Sequence, residues 1–126
     1  MLDDRAFKKL TDYLALIPAV DGHIGFGSDE DKTWWVKFSL DINHKYAWHA
    51  VQELGHVLNY MSLDERLPTS FYPVSAPPYM NGGPADFLSW VIECHDGNMR
   101  PGTIAEWLTG RLPRPVDDES QWDMEE

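Results

Sequence analysis

The sequence lacks the features that mark secreted and membrane-spanning proteins. It contains one cysteine, Cys94, so no intramolecular disulfide can form. Its first residues, Met-Leu-Asp-Asp-Arg, lack the cationic start and the apolar run of a signal peptide. No apolar run approaches the roughly 20 residues that are needed to span a bilayer. We therefore expect a soluble protein in the cytoplasm.

Basic residues are also few. The chain has 10 Lys and Arg against 21 Asp and Glu, which gives a net charge of −11. A surface of this sign repels the phosphates of nucleic acids and of anionic membranes, and it attracts basic protein surfaces. We therefore expect a basic protein partner, and neither a nucleic acid nor a membrane.

The composition is otherwise that of one folded domain. The chain has 126 residues, of which 43% are hydrophobic and 13% aromatic, enough for a single well-filled core. Six of the last ten residues are acidic and none is basic. Such a charge run is typical of a solvated segment. We predict a single domain over residues 1–114 and an acidic, flexible tail over residues 115–126.

The periodicity of apolar residues predicts three helices and four strands. Apolar spacings of three and four predict helices from Asp3 or Asp4 to Ile17, over residues 46–61, and from Thr103 to about Gly110. Alternating or aromatic-rich runs predict strands over residues 23–26, 34–42, 71–75 and 87–94. This order, α-β-β-α-β-β-α, indicates an α+β fold: a four-stranded, mainly antiparallel sheet built from two hairpins, with helices packed chiefly on one face.

The helix predicted at residues 46–61 carries two opposite faces. One is apolar and belongs to the core, and its members are Ala47, Val51, Leu54, Leu58 and Met61. The other gathers titratable side chains within about 60° of one another; they are His49, Glu53, His56 and Tyr60. This titratable stripe is either the solvated side of an amphipathic helix or a polar recognition surface on a rigid element. Gly55 lies within the helix, which indicates close packing of another element there.

Part of the titratable stripe resembles a metal-binding motif. Residues 52–56, Gln-Glu-Leu-Gly-His, are similar to the zinc-binding helix of metallopeptidases, but Gln52 stands where the first His ligand would be. An amide is a poor zinc ligand beside imidazole, although His49 could substitute for it. Glu53-x-x-His56 also matches half of a di-iron carboxylate motif whose second half is missing. We expect no metal and no other cofactor.

Other candidate residues lie outside this helix. Trp35 falls on the polar side of its strand, where it is either a binding anchor or covered by a neighbouring strand or loop. Tyr79 and Met80 lie on a proline-stiffened loop that either docks to a partner or folds over the sheet edge. Cys94 falls on the core side of its strand, as expected for a buried structural thiol. The acidic residues that we expect to meet a partner include Asp117, Asp118 and Glu119.

In size, charge and expected compartment, the chain resembles small acidic bacterial immunity proteins, which neutralise a toxin domain that is often a basic nuclease. The resemblance implies an inhibitor without enzymatic activity, whose association is steered by charge and completed by burial of aromatic anchors. One alternative is a metal-dependent, hydrolase-like protein that uses His49, Glu53 and His56. A second alternative is a structural or adaptor subunit.

Overall fold

The helices and strands follow the predicted α-β-β-α-β-β-α order, which confirms the α+β class. The computed structural model describes residues 4–29, 33–60, 68–74, 87–96 and 99–122. The main elements are α1 (Asp4–Leu16), β1 (Val20–Ser28), β2 (Trp34–Asp41), α2 (Ala47–Gly55), β3 (Thr69–Pro73), β4 (Phe87–Cys94) and α3 (Pro101–Arg111). A π-helix, His56–Tyr60, continues α2, and a 3-10 helix, Glu119–Trp122, follows α3.

The described strands form one antiparallel sheet in the order β1-β2-β4-β3. Each predicted hairpin is present, and the two are joined side by side through β2 and β4. The β2–β4 register is unbroken from Trp34 opposite Cys94 to Asp41 opposite Phe87. The β1–β2 register shifts between Asp21 and Gly25, so β1 bulges there and only its later part is regular. In the strand order β1-β2-β4-β3, the two edge strands of the sheet are β1 and β3.

Strict alternation along β2 divides the sheet into a buried face and a more exposed face. The inward residues Trp34, Val36, Phe38 and Leu40 are all fully buried, as the alternation predicts. Buried residues of α1, α2 and α3 belong to the same core cluster as this inward face, so the three helices lie on one side of the sheet. Trp35 and Lys37 point to the other side.

The central helix differs from the prediction in its second half. The α-helical part ends at Gly55, and the chain widens into a π-helix rather than continuing as one α-helix to residue 61. A Cβ at Gly55 would meet no described residue within 4 Å, so the described part of the chain does not show the expected close packing. Gly55 instead marks the junction between the two helix types. The wider turn changes which residues face the core, and Val57 joins Leu58 among the buried residues.

Residues 115–122 also differ from the flexible tail that was predicted. Val116 is buried and Trp122 is fully buried in the core, and the indole N–H of Trp122 donates to the carbonyl oxygen of Val116 at 2.8 Å. Burial of a Trp side chain with its N–H satisfied stabilises the fold strongly. The acidic residues before Trp122 are thus carried on a segment that is packed against the domain. Residues 123–126 lie outside the described part of the chain.

Candidate protein-binding surface

The face of the sheet opposite the helices presents a mixed aromatic and polar surface, which we name the open face. Its central residues on β2 and β4 are directly opposite each other: Trp35 faces Glu93, and Lys37 faces Val91. Tyr72 of β3 lies on the far side of Val91. The open face comprises Trp35, Lys37, Ser39, Ser70, Tyr72, Ser89, Val91 and Glu93. Because its residues project from paired strands, their backbone positions are fixed before any partner binds.

Trp35 is partly covered by its neighbouring strand and partly exposed, and its role as a binding anchor stays a prediction. A Cβ at position 27 would lie 2.7 Å from Cζ2 of Trp35, which shows that the indole lies against the bare backbone of Gly27. The side chain is still 36% exposed. A larger residue at position 27 would displace the ring. Gly27 therefore allows Trp35 to rest on β1 while it keeps an exposed edge.

Tyr72 is the second exposed aromatic residue of the open face, at 38% exposure. Desolvation, together with a hydrogen bond to Glu93 and the charge of that carboxylate, raises the pKa of Tyr72. The phenol O–H donates to the carboxylate of Glu93. Between the two aromatic residues, Val91 is only 7% exposed. The result is an apolar floor flanked by two aromatic side chains and a carboxylate.

Ser70 and His95 form a pair that sequence analysis missed. Ser70 Oγ and His95 Nε2 are 2.9 Å apart, at the start of β3 and just after the end of β4. The β3–β4 register brings them together, although they are 25 positions apart in the sequence. In hydrolases that use a Ser–His pair for catalysis, a third group orients the histidine through its Nδ1. Among the described residues no hydrogen bond to that nitrogen is present, so the pair is a polar contact at the rim of the open face.

The titratable stripe of the central helix is less exposed than predicted. His49 is half-buried, and its buried Nδ1 meets no hydrogen-bond partner in the described segments. Its ring lies 5.8 Å from the ring of Tyr46. Glu53 is also half-buried, whereas His56 is exposed at the start of the π-helix. Tyr60 ends the π-helix, and its side chain lies outside what the structure describes.

No group of three His, Cys, Asp or Glu side chains within the described segments is arranged to hold a metal ion. The metal-dependent alternative for His49, Glu53 and His56 therefore has no geometric support there. The absence of a metal in the protein itself stays a prediction.

Trp48 is an exposed aromatic residue that sequence analysis did not single out. It is 52% exposed on α2, which lies on the helical side of the sheet. The exposure of Trp48 could have been predicted from its place on the helix, between the apolar and the titratable stripe.

The start of α2 is held by His44, whose Nδ1 accepts the N–H of Tyr46 at 3.1 Å. His44 Nε2 lies 3.6 Å from a carboxylate oxygen of Glu119.

The three acidic candidates of the C-terminal segment have different surroundings. Asp118 accepts hydrogen bonds from the hydroxyl and the N–H of Ser120, and these bonds lower its pKa. Asp118 is therefore a cap of the 3-10 helix. Asp117 is exposed, and Glu119 is exposed beside His44. The loop candidates Tyr79 and Met80 lie outside the described residues.

Cys94 is buried, as the alternation of its strand predicts. Burial raises the pKa of its thiol, and Sγ donates to the carbonyl oxygen of Asp96 at 3.4 Å. A buried, protonated thiol is a poor nucleophile. The predicted burial of Cys94 is confirmed.

No protein-family model matches the chain, and no curated protein or solved structure is similar enough to it to be matched. Of the helices that the structure describes, none combines the length and the apolar character needed to cross a bilayer. The function therefore has to be inferred from the fold and the surface.

Proposed function

We propose that this protein is a non-enzymatic, cytoplasmic inhibitor that binds a basic protein partner through the open face, in the manner of an immunity protein that neutralises a toxin domain. The observation that carries the proposal is the pair of exposed aromatic residues, Trp35 and Tyr72, on a rigid sheet of a strongly acidic protein. Aromatic side chains on pre-formed surfaces are typical anchors of protein interfaces.

The two properties contribute to different steps of binding. The net charge of −11 raises the rate of encounter with a basic surface through long-range attraction. Burial of Trp35 and Tyr72 against the partner then limits the rate of dissociation. Glu93 of β4 faces Trp35 of β2 and hydrogen-bonds Tyr72 of β3, so it lies between the two aromatic residues. There its carboxylate can pair with a Lys or Arg of the partner. In the proposed complex, the sheet covers the functional site of the partner and thereby blocks the partner's activity.

Binding kinetics with a panel of basic nuclease domains test the proposal, with acidic proteins of similar size as controls. We expect at least one basic domain to bind and to lose its activity. Its on-rate should fall steeply as the Debye length contracts from about 30 Å at 0.01 M salt to about 10 Å at 0.1 M, whereas the off-rate should change less. A salt-independent on-rate, or a preference for the acidic proteins, would contradict the proposal.

Two tryptophan variants separate the open face from the rest of the surface. Trp35→Ala should weaken binding by more than about 1 kcal/mol, because it removes an anchor. Trp48→Ala is the matched control, since Trp48 is more exposed than Trp35 but lies on the helical side of the sheet. Equal losses of affinity in the two variants would mean that the open face is not the contact surface.

A further inference from the structure

One row of residues crosses the whole sheet on the open face. The register places Gly27 of β1 opposite Trp35 of β2, and Trp35 opposite Glu93 of β4. Glu93 in turn lies opposite Ser70 of β3. Residues directly opposite each other on neighbouring antiparallel strands have Cβ atoms about 4.5–5.5 Å apart. The row therefore sets side by side a bare backbone position, an indole, a carboxylate and a hydroxyl.

The indole of Trp35 leans toward the bare end of this row. Its Cζ2 lies 2.7 Å, and its Nε1 3.0 Å, from the point where a Cβ at position 27 would be. On the other side of Trp35, Glu93 is half-buried and keeps part of its surface in contact with solvent. Because Gly27 has no side chain, the ring can rest on β1 and leave the carboxylate accessible beside it.

The carboxylate of Glu93 is held in place without being neutralised. The hydroxyl of Tyr72, diagonally across on β3, donates to it. An ionised carboxylate has about four lone-pair sites on its two oxygens, so one such bond leaves most of its accepting capacity free. Within the described segments, no ion pair is formed with Glu93. Its charge is therefore available to a cation of a partner.

Ser70 supplies a second hydrogen-bond acceptor beside this carboxylate. Its Oγ lies 2.9 Å from Nε2 of His95. When the hydroxyl donates to that nitrogen, the imidazole carries its proton on Nδ1, and the lone pairs of Oγ can accept a hydrogen bond from a partner. The row thus offers two neighbouring acceptors next to an indole.

These three groups match a guanidinium better than an ammonium. A guanidinium is planar, carries its N–H donors in a fixed fork and stacks on aromatic rings, whereas an ammonium is a compact and strongly hydrated point charge. The fork can donate to Glu93 and Ser70 together, while its plane lies on the exposed surface of Trp35. The net charge of −11 favours the approach of such a side chain.

Lys37 acts in the opposite direction. It is two positions after Trp35 on the same face of β2, and it lies opposite Val91 in the next row. Its ammonium is therefore diagonal to Glu93, at a separation that a long side chain can span. The positive charge of Lys37 lowers the affinity of the row for any cation, arginine and lysine alike.

We propose that Trp35, Glu93 and Ser70 form a binding site for an arginine side chain of the partner. The guanidinium donates to the carboxylate and to the hydroxyl oxygen, and it stacks on the indole. Tyr72 is a positioning residue, because its hydrogen bond holds the carboxylate in place. The inference deepens the proposed function and rests on it, since the occupant is taken to be a residue of a basic protein.

Two capped tripeptides, one with arginine and one with lysine between two glycines, test the site in the full-length protein at low salt. In ¹⁵N-resolved spectra, the indole N–H of Trp35 and the amides of Glu93 and Ser70 should shift with the arginine peptide and saturate in the millimolar range. The indole N–H of Trp48, on the helical side of the sheet, should not shift. The lysine peptide should bind at least about threefold more weakly, because it can neither stack nor donate as a fork.

Substitutions assign the contribution of each group. Glu93→Gln should weaken binding of the arginine peptide by about threefold to tenfold, since Gln keeps an acceptor for Tyr72 but removes the charge. Glu106→Gln is the matched control, because it removes the same charge from α3 on the helical side. Ser70→Ala should weaken binding of the arginine peptide and leave that of the lysine peptide nearly unchanged. Lys37→Gln should strengthen binding of both peptides, a gain that loss of folding cannot produce.

The possible results separate the arginine site from the proposed function. Equal binding of the two peptides, or equal effects of Glu93→Gln and Glu106→Gln, would show that charge alone is responsible and would overturn the inference. The absence of a saturable shift at Trp35 would exclude the site. If a basic nuclease domain binds in a Trp35-dependent way and Glu93→Gln has no effect, the arginine site is wrong and the proposed function stands. If the arginine peptide binds as described and no basic domain does, the site holds and the proposed function fails.

Discussion

Asn59 and Phe71 exchange a pair of hydrogen bonds across the gap between the π-helix and β3. Oδ1 of Asn59 accepts the N–H of Phe71 at 2.7 Å, and Nδ2 donates to the carbonyl oxygen of Phe71 at 2.9 Å. The two residues are 12 positions apart in the sequence. The wider π-helical turn thus carries the amide that closes one edge of the sheet.

Asn59→Ala should lower the free energy of unfolding by about 1–3 kcal/mol, because both backbone groups of Phe71 lose their partner. Asn59→Asp should fall between the wild type and the Ala variant, since it keeps the acceptor and loses the donor. Urea unfolding measures both effects, and Gln52→Ala is the control because it removes an exposed amide from the same helix. Light scattering should also show more self-association of Asn59→Ala. A loss no larger than that of Gln52→Ala would contradict this account.

Three buried tryptophans predict unequal effects of the same substitution. The indole N–H of Trp34 donates to the carbonyl oxygen of Met99 at 2.7 Å, and that of Trp122 donates to the carbonyl oxygen of Val116 at 2.8 Å. The indole nitrogen of Trp90 is buried and has no hydrogen-bond partner among the residues that the structure describes. Replacement by Phe leaves a carbonyl oxygen without its donor at the first two positions, and removes an unsatisfied donor at the third.

We therefore expect Trp90→Phe to be less destabilising than Trp34→Phe and Trp122→Phe by about 1 kcal/mol or more. All three changes remove the same volume from the core, so the cavity cost is similar. Denaturant midpoints of the three variants, measured under one set of conditions, give the comparison. A Trp90→Phe variant that is as unstable as the other two would show that its indole nitrogen has a partner in solution.

The packing of Trp122 predicts that the C-terminal segment contributes to stability. Trp122→Ala should cost about 3–5 kcal/mol, as expected for a large aromatic side chain removed from a core. Gln121→Ala, at the exposed neighbouring position, should change stability little. Thermal unfolding followed by circular dichroism distinguishes the two. If both variants melt with the wild type, residues 115–122 are as mobile as the sequence first indicated.

Tyr13 predicts a loss of stability at alkaline pH. Its hydroxyl donates to the carbonyl oxygen of Leu108 at 3.3 Å, and burial raises its pKa from 10.0 to about 12. The unfolded state therefore loses the proton first as pH rises. The contribution of Tyr13 is fully present below pH 10 and is lost as pH rises toward 12.

The difference in unfolding free energy between the wild type and Tyr13→Phe isolates this effect, because lysine titration is common to both. We expect the difference to shift in favour of the Phe variant between pH 10.0 and about 12, whereas it should be constant below that range. A difference that does not change with pH would mean that the phenol ionises equally in the folded and unfolded states.

Sequence patterns predicted the elements whose side chains alternate regularly. The inward-facing residues of β2 could be predicted because every second residue of this strand is large and apolar. The hairpins could be predicted from the order of the strands. The start of α3 was placed too late, since Thr103 has a capping-box pattern but the helix begins at Pro101. Proline fits the first turn of a helix, because the N–H that it lacks would have no partner within the helix there.

Features that depend on long-range pairing could not be predicted. The contact between Ser70 and His95 follows from strand register, and the support of Trp35 by Gly27 follows from which strand lies beside β2. Within residues 115–122, the buried residues are Val116 and Trp122, with acidic residues between them. Two apolar positions without helical or strand periodicity do not stand out from a solvated charge run.

The contact between α1 and α3, together with the burial of Trp122, has a consequence for synthesis of the chain. Lys9 of α1 pairs with Glu106 of α3 at 2.8 Å, and Phe7 and Trp122 belong to one core. A nascent chain that has emerged only as far as β2 has the first hairpin but neither β4 nor α3 to cover it. The native core is therefore complete only when Trp122 has packed against residues from the first helix, which lie more than a hundred positions earlier in the sequence.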